Sequence, residues 1–405
     1  MKWGVFNILN YLLVILFFFF FNNNSFCYCN SIWNINEFTL FLSFIPLIFY
    51  LLLFNVLSVN NSNFNFFLIY LSILSSIICF NLNHTLLFWC FYELSILPLL
   101  FLLVIDSPYS ERYLAIWYLL GYIMITSLPM LLCIFFICYD NNFCFQLDGL
   151  NNYNYTVNFI LFVLFITKVP LPPFHSWLPI VHAEANSFVS IMLSGYIMKL
   201  GLIGIYRFNN CLLQDLNFYI FFIFLFSLFF LFNSMQELDS KRWLAFLSLS
   251  HILISLVGLY NQSWLEDSIV SFFCLGHGIS ACLLFYMFLN LYNLTGSRNW
   301  LIFYNSNTNS TVFRFLVVTS IITLVSFPPT IQFISEVLVL VKIYTNSSLL
   351  MIYSFYLFIG GLIPVLLLSY FLSNNNNTIN LNLYYMAQLI MLLLLVYCFF
   401  FGIYI

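Results

Sequence analysis

The sequence predicts an all-α polytopic membrane protein of about thirteen transmembrane helices, arranged as two inverted five-helix repeats that each contain a proline-broken helix. Three observations carry this expectation. Of 405 residues, 63% are hydrophobic and 6% charged, whereas soluble chains carry about a quarter charged residues. The apolar residues gather into runs of about 20, the length that crosses a hydrocarbon core. Two of those runs are interrupted by clustered prolines, a feature tolerated at membrane depth where the freed backbone lines a cavity.

The runs fall at 4–21, 38–58, 64–82, 84–105, 113–138, 155–178, 186–208, 216–233, 241–260, 268–291, 311–344, 348–372 and 383–404. Residues 1–21 imitate a signal peptide, with Lys2 ahead of an apolar run. Phe21 leads into Asn22, Asn23 and Asn24 rather than a small-residue cleavage site, so the run reads as a first span. The run 311–344 is too long for one straight span and contains Phe327-Pro328-Pro329-Thr330, so it reads as one broken helix. Asn-rich pieces at 304–311 and 373–382 read as solvated connectors.

The stretch from Phe165 to Gly204 organises the rest. Lys168 lies near the middle of an apolar run, Pro170, Pro172, Pro173 and Pro179 interrupt it, and Lys199 lies near the middle of the next run. An ionised lysine at the bilayer centre costs roughly 2.5–3.5 kcal/mol, so an intramembrane lysine points to function. Snorkelling to the surface is the plain alternative, and neither lysine is near an end of its run. Glu93 and Glu336 also fall inside runs, and His251 and His277 near the middles of two more. Six titratable groups at similar depth form a row parallel to the membrane plane, which suits proton transfer.

The broken runs expose a symmetry. Run 155–178 is fourth in the set 64–208, and run 311–344 is fourth in the set 216–372. Five spans per set invert the second copy, an arrangement typical of transporters. The chain thus divides into N-terminal helices (1–63), a first repeat (64–208), an inverted second repeat (216–372) and a C-terminal helix (373–405).

Other chemistries find no foothold. The eleven cysteines are scattered without a CxxC pair, Cys27-x-Cys29 being the nearest approach, and they read as small apolar residues. No GxGxxG turn, iron–sulfur spacing or P-loop occurs, and no basic patch invites nucleic acid. His182-x-Glu184 lacks a third metal ligand, so His175, His182 and Glu184, placed near a membrane face, read as packing or proton-entry residues. Asp239 and Lys241 read as a surface pair, and Gly195, Gly201 and Gly204 as sites of close helix packing. The abundance of Phe, Tyr, Ile and Asn, all encoded by A/T-rich codons, fits an organelle genome.

At these residues the chain resembles the antiporter-like proton-pumping subunits of NADH–ubiquinone oxidoreductase (respiratory complex I), over roughly residues 84–345. Phe165-Ile-Thr-Lys168-Val-Pro170, His175-Ser-Trp-Leu-Pro179, His182-Ala-Glu184-Ala and Met198-Lys199-Leu-Gly201 resemble the family's central signature. Glu111-Arg112, Asp239-Ser-Lys241, Gly276-His277-Gly278 and Pro328-Pro-Thr-Ile-Gln-Phe-Ile-Ser-Glu336 have counterparts in the same order. Glu336, where subunits 2 and 5 typically carry lysine, favours the subunit 4 branch. The family usually has fourteen spans, one more than counted here.

The resemblance implies a multi-pass protein of the mitochondrial inner membrane, N terminus in the matrix and C terminus in the intermembrane space. It implies membrane-arm neighbours, subunits 2 and 5 among them, phospholipid contacts, and flavin mononucleotide and iron–sulfur clusters in partner subunits rather than in this chain. It also implies roles. Glu93 and Lys168 form a cross-helix ion pair, and its opening releases a proton towards Lys199; His251 and His277 relay it to Glu336. A salt bridge that only holds helices together is the structural alternative for the pair, and hydrogen-bonded core residues for the histidines. A stand-alone cation/proton antiporter subunit shares the motifs, and a purely structural membrane subunit is the third class.

Overall fold

In hydrocarbon the backbone N–H and C=O groups of an apolar run find partners only within their own helix. The computed structural model follows that logic and describes residues 27–57, 63–141, 145–146, 154–260, 268–305, 311–344 and 346–372, with 388, 391–396 and 398–399. The described part opens with a small antiparallel hairpin, β1 (Tyr28–Cys29) on β2 (Asn34–Ile35), a local exception to the all-α expectation. Its turn is closed by the Asn30 N–H donating to the Trp33 carbonyl at 2.7 Å.

The helices follow as α1 (Glu37–Leu57), α2 (Asn63–Asn81), α3 (Thr85–Asp106) and α4 (Arg112–Asp140). Next come the two halves of a broken helix, α5 (Tyr155–Lys168) and α6 (Trp177–Glu184). A continuous rod is then made of α7 (Ser187–Met192), a π-helical turn (Leu193–Ile197) and α8 (Met198–Asp215). The second set holds α9 (Asn217–Gln236), α10 (Ser240–Tyr260), α11 (Ser268–Thr295) and a short α12 (Trp300–Asn305). It ends with the second broken helix, α13 (Thr311–Leu324) and α14 (Ile331–Ile343), and with α15 (Ser347–Leu372).

Among the described residues, eight helices are long and apolar enough to cross a membrane, and the expected span at 38–58 is represented there by the shorter apolar stretch Glu37–Tyr50. The expected spans at 4–21 and, for the most part, 383–404 lie outside those residues. Those at 155–178 and 311–344 are each split into two short pieces. Clustering of prolines decides where a helix breaks. Isolated Pro46, Pro98, Pro129 and Pro364 stay inside α1, α3, α4 and α15. Pro170, Pro172 and Pro173 together remove too many N–H donors, and so do Pro328 and Pro329. Pro179, expected to share in the break, lies in the first turn of α6, where an N–H has no intrahelical acceptor.

The rod and helices α10 and α11 form the buried centre, while α4 and α15 turn most of their apolar surface outwards. The molecule has two polar faces. On one, the loop after α3 meets the starts of α10 and α12 through Tyr109, Lys241 and Arg298. On the other, Arg207 of α8 donates to the carbonyls of Phe80 and Leu82 at the end of α2 and of Asn34 in the hairpin. A cation there complements the negative end of the α2 dipole.

Candidate functional site

Because the prolines end α5 at Lys168, this lysine, near the middle of the broken run, stands at a helix C-terminus. Unpaired carbonyls at such an end favour a cation. The Lys168 Nζ donates to Glu93 Oε1 of α3 at 3.0 Å, with both side chains largely buried, and lies 5.2 Å from the centre of the Tyr92 ring. The expected cross-helix pair is therefore present.

Lys199 is fully buried and has a different setting. It follows the π-helical turn, and its Nζ donates to the carbonyl of Ser194 within that turn. π-Helical turns of this kind are frequent at functional sites. Gly195 sits in the turn because a Cβ there would overlap the Phe49 ring of α1. Among the described residues no carboxylate pairs with Lys199. Three histidines lie within electrostatic reach of it instead: His182, His251 and His277.

His251 of α10 and His277 of α11 stand with ring centres 4.9 Å apart. Both are buried, and among the described residues neither ring nitrogen of His277 has a hydrogen-bond partner. His182 is completely buried, its ring stacked on Phe285 with centres 5.2 Å apart. Among the described residues its nitrogens likewise have no hydrogen-bond partner.

Glu336 of α14 closes the row. Its carboxylate accepts from the Ser326 hydroxyl and, at 3.5 Å, from Gln332 Nε2. The Ser280 hydroxyl of α11 reaches both the His277 carbonyl (3.0 Å) and Gln332 Oε1 (3.5 Å), tying α14 to the histidine helix. Two residues of α15 that the sequence reading passed over stand close by, Tyr353 and Tyr356.

At the polar face above the break, Asp239 and Lys241 do not form the expected surface pair. Lys241 is buried: its Nζ donates to the Ala185 carbonyl at 2.7 Å and lies 5.1 Å from the Tyr109 ring centre. Asp239 pairs with Arg298 at 3.7 Å, and Arg298 also binds the Ala183 carbonyl and faces Glu184 at 3.9 Å. Two cations thus cap the C-terminus of α6, which the helix dipole favours. Burial pushes the Tyr109 hydroxyl up to about 12, against the lowering effect of the Arg298 guanidinium. Beside the break a cavity of about 290 Å³ is lined by His175, Ser176, Pro179, Asn233, Glu237 and Arg242, among others. His175 is therefore placed at an opening and His182 in the interior.

The model of the family described as NADH:quinone oxidoreductase/Mrp antiporter, transmembrane, matches residues 82–363. The chain belongs to this family. All six members of the row fall within the matched segment. Among similar proteins, NADH-ubiquinone oxidoreductase chain 4 of Locusta migratoria is 29% identical over 293 residues, covering 70% of this chain and 65% of that protein. The chain 4 of Acanthamoeba castellanii is 30% identical over 274 residues, 64% of this chain and 54% of that one. The chain 4 of Apis mellifera ligustica is 29% identical over 364 residues, 82% and 78% of the two chains. The match thus spans less than two thirds of the length of the first two relatives.

Solved structures share the fold. A chain of respiratory complex I from Thermus thermophilus superposes with a TM-score of 0.80 at 19% identity, over 95% of this chain and 87% of that chain. A chain of an Mrp complex from Dietzia sp. gives 0.72 at 15% identity, over 85% and 68%. At such identities the likeness concerns architecture alone.

Proposed function

We propose that the chain is a proton-translocating membrane-arm subunit of an H⁺-translocating NADH:ubiquinone oxidoreductase, carrying no redox centre of its own. One observation carries this reading: a buried Lys168–Glu93 ion pair at a helix break, followed across the bundle by Lys199, His251, His277 and Glu336. Each member is an acid or base that gains and loses a proton. Opening the pair leaves Lys168 without the carboxylate that stabilises its charge, so its proton moves on towards Lys199. The histidines near Lys199 accept it, His182 joining the two expected ones, and Glu336 receives it at the far end. Ring nitrogens that the protein leaves unpartnered are free to exchange protons through hydrogen-bonded water.

The two five-helix sets are inverted repeats in this reading, at 64–208 and 216–372. Redox energy is delivered by partner subunits that hold flavin mononucleotide and iron–sulfur clusters. Subunits 2 and 5 and phospholipids flank the chain in the mitochondrial inner membrane. The names of the chain 4 relatives support that setting. A cation/proton antiporter subunit is the second reading, favoured by the fold shared with the Mrp chain. The mass of the native complex in mild detergent separates the two: a very large assembly with flavin and iron–sulfur signals supports the first, a small cofactor-free one the second.

The test of the mechanism is substitution of each lysine. Lys168→Met and Lys199→Met keep an apolar, flexible side chain and remove the charge. Each is expected to depress proton translocation much more than assembly. An unchanged proton-to-electron ratio in both variants would refute the row.

A further inference from the structure

The row has a gap in its far half. His251 and His277 lie on α10 and α11, Glu336 on α14, and none of the hydrogen bonds described above joins a histidine ring to the carboxylate. Two tyrosines of α15 stand between them. The Tyr356 hydroxyl is 2.8 Å from His251 Nδ1, and its ring meets the imidazole edge-on at 6.1 Å. Three residues earlier on the same face, Tyr353 donates to the backbone carbonyl of Glu336 at 3.1 Å. The two rings are nearly parallel, with centres 6.0 Å apart, and both tyrosines are at most 1% exposed. Each lies within electrostatic reach of Glu336.

Packing does not account for these hydroxyls. The chain uses 53 phenylalanines against 27 tyrosines, and most of α15 faces outwards. Phenylalanine would fill the same space, and a buried phenol needs a polar partner to offset its desolvation. Both hydroxyls have found partners in the row, one on a ring nitrogen and one on the acid's own backbone.

We propose that Tyr356 is a positioning residue of the proton row, its hydroxyl holding Nδ1 of His251 so that Nε2 is the nitrogen through which this imidazole exchanges protons. The proposal rests on the reading of the row given above. A histidine whose two nitrogens are both free can rotate and change tautomer, whereas one held at Nδ1 presents a single face. Tyr353 holds the Glu336 turn in the same way, so α15 sets the spacing of donor and acceptor in the far half of the row.

The experiment is a double-mutant cycle in the assembled complex, with proton translocation per electron as the readout. Tyr356→Phe keeps the ring and removes the hydroxyl; His251→Gln removes the imidazole. If Tyr356 acts through His251, Tyr356→Phe lowers translocation about fivefold alone, the scale of one buried hydrogen bond, and adds little in the His251→Gln background. Additive losses, or parent-level translocation in Tyr356→Phe while His251→Gln is impaired, would overturn the proposal and leave the row intact. Failure of Tyr356→Phe to assemble, with Tyr353→Phe assembling normally, would give the hydroxyl a folding role and also overturn it. Normal translocation in His251→Gln would sink the histidine step of the row itself, and with it any positioning role for Tyr356.

Discussion

Lys168 and Lys199 are both buried ammonium groups, yet they are stabilised differently. Lys168 has a carboxylate at 3.0 Å, a helix C-terminus and an aromatic face; Lys199 has a single backbone carbonyl. That asymmetry makes Glu93 the group whose charge matters. Glu93→Gln keeps the volume and a hydrogen-bonding oxygen but leaves Lys168 without its counter-ion. Breaking a buried pair from one side costs about 3–5 kcal/mol. Turnover coupled to proton translocation is therefore expected to fall by about tenfold or more. Glu93→Asp shortens the side chain by one methylene, keeps the charge and retains part of the rate. If the glutamine variant matched the parent while the aspartate variant failed, packing rather than charge would explain the position. At this scale the sequence was legible wherever a full charge interrupted an apolar run, because few plain readings exist for it. It was less legible for His182, Tyr353 and Tyr356, since a neutral polar ring is ordinary in a buried helix until its partners are known.

Among the elements, the two broken helices and the π-helical rod do the placing. The break is followed by α6, which carries the buried His182, and the π-helical turn offers a carbonyl to Lys199. Clustered prolines announced both breaks, but not which helices the residues past each break pack against, because a sequence run does not show where the chain goes after a bend. The π-helical turn was not legible at all; its cause lies in tertiary packing. Gly195 lets Phe49 press on that turn, and Gly201 lets Val169, the residue after Lys168, press on α8. The same contacts predict a stability effect. Gly195→Ala drives a methyl into the Phe49 ring, and overpacking of this kind costs about 1–3 kcal/mol. The variant is expected to melt earlier than the parent when thermal unfolding of the purified complex is followed. Gly121→Ala, on the open face of α4 where a Cβ meets nothing within 4 Å, is expected to melt with the parent. Equal melting of all three proteins would remove the packing role of Gly195.

For the whole molecule, the distribution of basic residues predicts how it sits in the membrane. Tyr109 touches both Lys241 and Arg298, so the loop that leads into Arg112 shares a face with the starts of α10 and α12. Arg242 starts α10 beside Lys241, and Arg314 begins α13. Arg207 reaches the hairpin and the end of α2 on the opposite face, and Lys342 lies in the last turn of α14. Among the described residues, the first face carries five basic residues to two. Basic loops stay on the side from which a protein is inserted, which for this family's mitochondrial relatives is the matrix. If residues 4–21 form the first of an odd number of spans, as expected from the sequence, the N terminus is in the matrix and the C terminus in the intermembrane space. The expected outcome is concrete. In mitoplasts, where the outer membrane is gone, a C-terminal tag is open to protease and antibody while an N-terminal tag is protected until the inner membrane is permeabilised. An accessible N-terminal tag with a protected C terminus would reverse the orientation, and both tags on one side would make the number of spans even.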